Sequence, residues 1–288
     1  MPTDSGPLAP RTQSFYRDLA AWMAQRRGAQ RCPIFGINGA QGSGKSTAAR
    51  FLQGELSAVH GLRAVALSLD DFYLPRAARH ALAAQVHPLF ATRGVPGTHD
   101  PALGTRTLTQ LRALTVGKTL ALPRFSKADD ERMPAADWQR VEGPVDLILL
   151  EGWCVGLPAQ PQALLQTPVN ELEAREDADG RWRRAVNEQL GSSYAAWFAL
   201  LDALVFLRVP DLACVRRWRW QQEQDTALGA QPAASGLLSQ SRIERFIQHY
   251  ERLTAHALEV MAERADVVLK LGEDHGVQTM RFRDPPTS

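Results

Sequence analysis

The stretch Gly39-Ala40-Gln41-Gly42-Ser43-Gly44-Lys45-Ser46 fits the spacing G-x-x-x-x-G-K-[ST]. Each residue type has a chemical reason to be there. Glycines let successive backbone N–H groups curl around phosphate oxygens at φ values that other residues resist. The helix expected to follow adds partial positive charge at its N-terminus. Lys45 would reach the β- and γ-phosphates, and the Ser46 hydroxyl would ligate Mg²⁺. The nucleotide-binding set is therefore Gly39, Ala40, Gln41, Gly42, Ser43, Gly44, Lys45, Ser46 and Thr47.

Acidic residues stand where they could work on a bound triphosphate. Asp70 and Asp71 close the apolar run ending Leu67-Ser68-Leu69, followed by Phe72 and Tyr73. One carboxylate there could accept the proton of an attacking hydroxyl while the other orients it or holds metal-bound water. Glu151 ends the run Leu147-Ile148-Leu149-Leu150, the Walker B pattern, in which the carboxylate acts on Mg²⁺ directly or through water. The metal set is thus Ser46, Glu151 and Asp70. Arg216, Arg217 and Arg219, with Trp218 and Trp220 between, lie on a helix expected to begin at Asp211. At 3.6 residues per turn Arg216 and Arg219 share a face, with Arg217 about 100° to one side. Arginines so placed could neutralise charge on a phosphoryl group in transfer.

Five short apolar runs must position these groups: Pro33–Asn38, Arg63–Leu69, Val145–Leu150, Ala203–Val209 and Asp266–Leu271. They are continuously apolar rather than alternating, as strands buried on both faces of a parallel sheet are. Helical patterns lie before and between them, at Gln13–Arg27, Ser46–His60, Asp211–Gln224 and Ser241–Arg264, so helices should cover both faces. Residues 72–144 and 152–200 interrupt the rhythm with long stretches rich in Pro, Arg, Trp and acids. Insertions of that length are commonly functional, and both follow candidate strands, on the side where such sheets bind ligands.

The 288 residues are 44% hydrophobic and 22% charged, enough apolar material for a large core. The net charge of +2 does not argue for nucleic acid or a membrane surface. Three scattered cysteines fit a reducing, cytoplasmic setting. No apolar run approaches membrane-spanning length. Residues 1–10 read as a frayed end without a signal-peptide pattern.

The phosphate cradle, Ser68-Leu69-Asp70-Asp71-Phe72-Tyr73 and Leu149-Leu150-Glu151-Gly152 together resemble the phosphoribulokinase, uridine kinase and pantothenate kinase superfamily over roughly residues 30–280. The resemblance implies ATP as phosphoryl donor and the Asp70 position as catalytic base. Within that superfamily, Arg93-Gly94-Val95-Pro96-Gly97-Thr98-His99-Asp100 is similar to a signature of D-glycerate 3-kinases. Pro123-Arg124-Phe125-Ser126-Lys127-Ala128-Asp129-Asp130-Glu131-Arg132 is similar to a second segment, which has Asp where this chain has Ser126. Glu151-Gly152-Trp153-Cys154-Val155-Gly156 continues the Walker B strand as theirs does.

The implied enzyme phosphorylates D-glycerate. A different acceptor (pantothenate, a nucleoside or a sugar phosphate) and a nucleotide-binding regulator without turnover are the alternatives. An anionic acceptor agrees with the charges: Arg93, His99, Arg124, Lys127 and Arg132 could clamp a carboxylate, beside Asp71 and Tyr73. His87 reads as a packing residue or turn cap, and Gly272–Val277 as a loop passing near the adenine. The expected fold is a single three-layer α/β P-loop NTPase domain over 1–288, with a five-stranded parallel core sheet. Residues 72–144 form its helical and loop substrate-binding insertion and residues 211–240 its lid.

Overall fold

The computed structural model describes residues 8–29, 32–229 and 240–283. In chain order the elements are α1 (Pro10–Ala29), β1 (Ile34–Gly39), α2 (Lys45–Ala58), β2 (Ala64–Ser68), α3 (Arg76–Gln85) and α4 (Pro101–Arg112). Four short strands follow: β3 (Thr119–Leu122), β4 (Phe125–Ser126), β5 (Glu131–Arg132) and β6 (Gln139–Glu142). Then come β7 (Leu147–Gly152), α5 (Glu171–Glu176), α6 (Arg181–Gln189), α7 (Ala195–Phe198) and β8 (Ala203–Arg208). The chain closes with α8 (Leu212–Gly229), α9 (Gln240–Arg264), β9 (Val267–Leu271) and β10 (Val277–Phe282).

Strands order β10-β9-β8-β1-β7-β2 across the main sheet. The five apolar runs are its parallel strands, and β1 and β7 are buried at every residue. β10 adds a sixth, antiparallel strand that the sequence reading did not contain. Its residues Gln278, Thr279, Arg281 and Phe282 face outward or partly so, giving the polar pattern of an edge rather than a buried run.

Two cores sandwich the sheet. On one face Phe35, Ile37, Leu149, Val205 and Leu207 pack with Leu19 and Met23 of α1 and Leu52 and Leu56 of α2. On the other, Ile34, Ile148, Leu150 and Phe206 pack with Tyr250, Leu253 and Met261 of α9 and with the two insertions. Those insertions are more regular than their sequences suggest. Residues 72–144 hold α3, α4 and two small antiparallel ladders, β3 with β6 and β4 with β5. Residues 152–200 hold α5 to α7, with α6 running through a π-turn at Leu190–Tyr194. Their helices are short, and buried ion pairs stand in for a long apolar stripe. Arg183 pairs with Asp177 at 3.0 Å and Arg252 with Glu173 at 2.6 Å.

Pro10 already begins α1, so the expected fray does not extend that far, and residues 1–7 lie outside the described residues. Of the expected lid, residues 230–239 likewise lie outside them. Among the described residues no helix is long and apolar enough to cross a membrane.

Candidate active site

β1 lies between β7 and β8, so the loop leaving it opens at the point where chain direction diverges to either side of the sheet. Gly39–Ser46 is that loop. Gly42 has φ +77°, and a Cβ there would stand 2.9 Å from the Trp218 Cβ on α8. The Lys45 ammonium folds back to the Ala40 carbonyl at 2.9 Å. Ser46 Oγ donates to Glu151 Oε1 at 2.8 Å, as parallel pairing of β1 with β7 sets Ile37 beside Glu151. Burial pushes the Glu151 carboxyl up and the Lys45 ammonium down, and each charge offsets part of the other's shift.

One strand further out, Ser68 of β2 pairs with Glu151 in register, and the chain then turns through Leu69–Phe72. That turn sets Asp70 beyond the sheet edge, with its N–H donating to Ser68 Oγ at 3.3 Å. Tyr73 OH donates to Asp70 Oδ1 at 3.0 Å and Lys127 Nζ to Oδ2 at 2.5 Å. Burial alone would raise the Asp70 carboxyl, but the Lys127 ammonium and the Tyr73 hydroxyl hold it at about 2. Asp71 turns the other way, accepting from Arg124 at 2.7 Å and from the Phe125 N–H at 3.3 Å. It fastens the β4–β5 hairpin to the strand end.

The Arg93–Asp100 run is zipped onto this turn. Leu74 N donates to Thr98 O, Asp100 N donates to Phe72 O, and Tyr73 bridges His99. The His99 ring stacks on the Tyr73 ring at 4.3 Å. Tyr194 OH accepts from the N–H groups of Gly97 and His99 at 3.1 and 3.2 Å, so its one proton goes to His99 Nδ1, 2.7 Å away. His99 is then a neutral imidazole with hydrogen on Nε2, and burial keeps its pKa down at about 3.

The five groups read as a carboxylate clamp are therefore not equivalent. Arg93 pairs with Asp130 and lies over the Phe125 ring, Arg124 holds Asp71, and Arg132 binds Asp100 and the Tyr73 carbonyl. These arginines assemble the insertion around the site, and His99 carries no charge at neutral pH. Lys127 alone of the five sits on Asp70. Ser126 Oγ and the Asp129 carboxyl are hydrogen-bonded, so a carboxylate stands beside the position where the resemblance led one to expect Asp. His87 caps a turn, its Nδ1 accepting from Leu89 N at 3.3 Å.

α8 crosses the cradle at Trp218. Arg216 and Arg219 do share a face, which meets α9: Arg216 pairs with Glu251 at 2.6 Å, and the Arg219 guanidinium lies 4.9 Å from the Phe246 ring centroid. Arg217 points aside to Glu273. The Gly272–Val277 loop reaches the cradle, with His275 Nδ1 3.1 Å from the Gly42 carbonyl oxygen.

The sequence reading missed Tyr250 and gave Tyr194 no chemistry. Tyr250 OH donates to the Arg93 carbonyl at 3.2 Å, and its ring meets Trp153 edge-on at 4.9 Å. Gly94, at φ +146°, is what admits it, because a Cβ there would lie 2.0 Å from the Tyr250 oxygen. A glycine inside the signature was the available signal, but its partner sits more than a hundred residues away.

Among known proteins, no family model matches the chain. It is similar to the chloroplastic D-glycerate 3-kinase of Arabidopsis thaliana, 30% identical over 75% of this chain and 46% of that protein, so it spans under half that relative's length. It is 33% identical to the uncharacterized kinase mug58 of Schizosaccharomyces pombe, covering 75% of this chain and 78% of that one. Among solved structures, a D-glycerate 3-kinase from Cryptococcus neoformans superposes with a TM-score of 0.75 at 21% identity, covering 96% of this chain and 100% of that one.

Proposed function

From a chain that belongs to the D-glycerate 3-kinase-like P-loop kinases, we propose an enzyme that transfers the γ-phosphoryl group of ATP to D-glycerate, giving 3-phosphoglycerate. The observation that carries this reading is the zipper between Tyr73 and His99, which holds the Arg93–Asp100 run against Asp70. It brings a carboxylate base and a neutral imidazole to one sheet edge, and the Asp71–Arg124 contact sets the Lys127 ammonium beside them. That is a site for a small hydroxy acid, with hydroxyl and carboxylate recognised by neighbouring groups.

The cradle N–H groups and Lys45 hold the triphosphate, with the N-terminus of α2 behind them. Asp70 takes the proton of the acceptor hydroxyl as its oxygen bonds to the γ-phosphorus. The bond from that phosphorus to the bridging oxygen breaks, and its electron pair leaves on ADP. Arg219 and Arg216 close over the transferring group from α8, leaving their partners on α9.

The residues fit a magnesium ion. Ser46 and Glu151 are two hard oxygen donors 2.8 Å apart at the foot of the cradle, with Asp70 on the neighbouring strand end. Ser46 and Glu151 would hold it, and it would offset phosphate charge. Asp70, whose two oxygens accept from Tyr73 and Lys127, is left to act as base rather than as the third ligand the sequence suggested. Among the described residues no three His, Cys, Asp or Glu side chains cluster as a metal site. An ion that takes its remaining ligands from phosphate and water does not need one.

Coupled ADP release with MgATP against D-glycerate, L-glycerate, pantothenate, uridine and ribulose 5-phosphate tests the reading. Turnover confined to D-glycerate is expected, with the phosphate position read by NMR of the product. Activity elsewhere and none on D-glycerate would overturn the acceptor while keeping a kinase.

A further inference from the structure

Lys127 stands apart from the other cations of the insertion. Arg93, Arg124 and Arg132 each hold a carboxylate whose work is structural, namely Asp130, Asp71 and Asp100. The partner of Lys127 is Asp70, at 2.5 Å. The backbone beneath Lys127 is well anchored. Phe125 N–H and Arg124 are tied to Asp71, and Arg93 donates to the Lys127 carbonyl at 3.3 Å. The side chain is not anchored in that way. It is 63% exposed, against 28% for Asp70, so the ammonium lies in the mouth of the site on a flexible four-carbon stem.

This pair has a chemical cost for transfer. With Tyr73 on Oδ1 and Lys127 on Oδ2, both oxygens of Asp70 already accept a hydrogen bond. A carboxylate neutralised by a contacting ammonium is a poor acceptor for a hydroxyl proton. Lysine suits a change of partner, being a point charge with three rotatable donors rather than the planar fork that locks an arginine to one carboxylate.

We propose that Lys127 exchanges between Asp70 and the anionic group of the acceptor, so that an acceptor's own carboxylate draws the lysine off and frees the base that activates its hydroxyl. The inference rests on the acceptor-kinase reading above and adds a consequence to it. Anionic acceptors are selected in the transfer step as well as in binding. Water and uncharged alcohols, having nothing to offer Lys127, leave Asp70 occupied. Once it is free, Asp70 Oδ2 receives the hydroxyl proton as the acceptor oxygen bonds to the γ-phosphorus and ADP departs with the electron pair of the broken bond.

The test compares wild type, Lys127→Met and Lys127→Arg, each with MgATP, in two assays. The first is ATP hydrolysis without an acceptor. The second is phosphorylation of D-glycerate against glycerol, which carries an uncharged hydroxymethyl group in place of the carboxylate. In Lys127→Met, hydrolysis and glycerol transfer should rise several-fold, while kcat/KM for D-glycerate falls about 10- to 100-fold through loss of a charged contact. Both gains should vanish when Asp70→Asn is added. Lys127→Arg, whose planar fork stays locked on Asp70, should lower kcat for D-glycerate.

Hydrolysis and glycerol transfer that stay level or drop in Lys127→Met would overturn the exchange, leaving Lys127 a simple binding residue. If wild type ignores D-glycerate, the acceptor assignment fails separately. The hydrolysis assay needs no acceptor and still decides the exchange, an Asp70-dependent rise supporting it and its absence overturning it.

Discussion

The indole of Trp218 stacks on the imidazole of His275, ring centroids 4.0 Å apart and planes 27° from parallel. Trp218 Nε1 also donates to the Glu273 carbonyl at 2.9 Å, and His275 lies 3.1 Å from the Gly42 carbonyl oxygen. α8, the β9–β10 loop and the phosphate cradle are thus joined at one point. His275→Ala should raise KM for ATP about three- to tenfold, the worth of one hydrogen bond and one stacked pair. The acceptor KM should hardly change. Calorimetric titration with ATP and steady-state kinetics check both.

Asp70→Asn keeps an oxygen for the Tyr73 hydroxyl but removes the proposed base. Turnover should fall about 10²- to 10⁴-fold with ATP affinity retained. Unchanged turnover would take Asp70 out of the chemistry.

Gly94→Ala places a methyl 2.0 Å from the Tyr250 oxygen and 2.5 Å from its ring carbon, at a φ of +146° that alanine resists. Neither backbone nor ring can give way easily, because Trp153 donates to the Gly94 carbonyl at 3.0 Å. A loss of about 2–4 kcal/mol is expected from urea unfolding. Tyr250→Phe, which removes only a hydroxyl, should cost about 1 kcal/mol.

His99 makes stability depend on pH in a defined window. Its pKa is about 3 in the folded protein and about 6.5 when unfolded. Between those values the unfolded chain binds a proton that the native state refuses, so acidification favours unfolding. The effect is absent above the upper value and complete below the lower one. His99→Asn should remove about 2 kcal/mol of the stability lost between about pH 6.5 and pH 5. Urea unfolding of both proteins across that range measures the difference in slope.

The parts legible from sequence were those in which local pattern and chemistry coincide. Strands buried on both faces must be apolar throughout, so five runs mark them, and the cradle spacing follows from phosphate geometry. β10 escaped because most of it is exposed, Val277 being its one fully buried residue, so no apolar run marks it. At the site, Asp70 and Lys127 were both identifiable but their contact was not, since the two are brought together by the Asp71–Arg124 fastening of a hairpin. Likewise the basic residues of the insertion signalled an anion site by type. Which of them remained available depended on where Asp71, Asp100 and Asp130 fell, and that is a matter of folding rather than composition.

β1 has no neighbour close to it in sequence. Ile34 lies beside Ile148 and Phe35 beside Ala203. During synthesis the strand bearing the phosphate cradle therefore leaves the ribosome with both its edges bare. One edge waits for β7, which ends at Gly152, and the other until the chain reaches Arg208, the end of β8. At about 5–20 residues per second this wait is on the order of ten seconds or more. A strand as apolar as Ile34-Phe35-Gly36-Ile37 invites misplaced pairing over that interval. Yield in cells should therefore respond to translation rate and to chaperone supply through residues 40–208, even where the finished protein is stable.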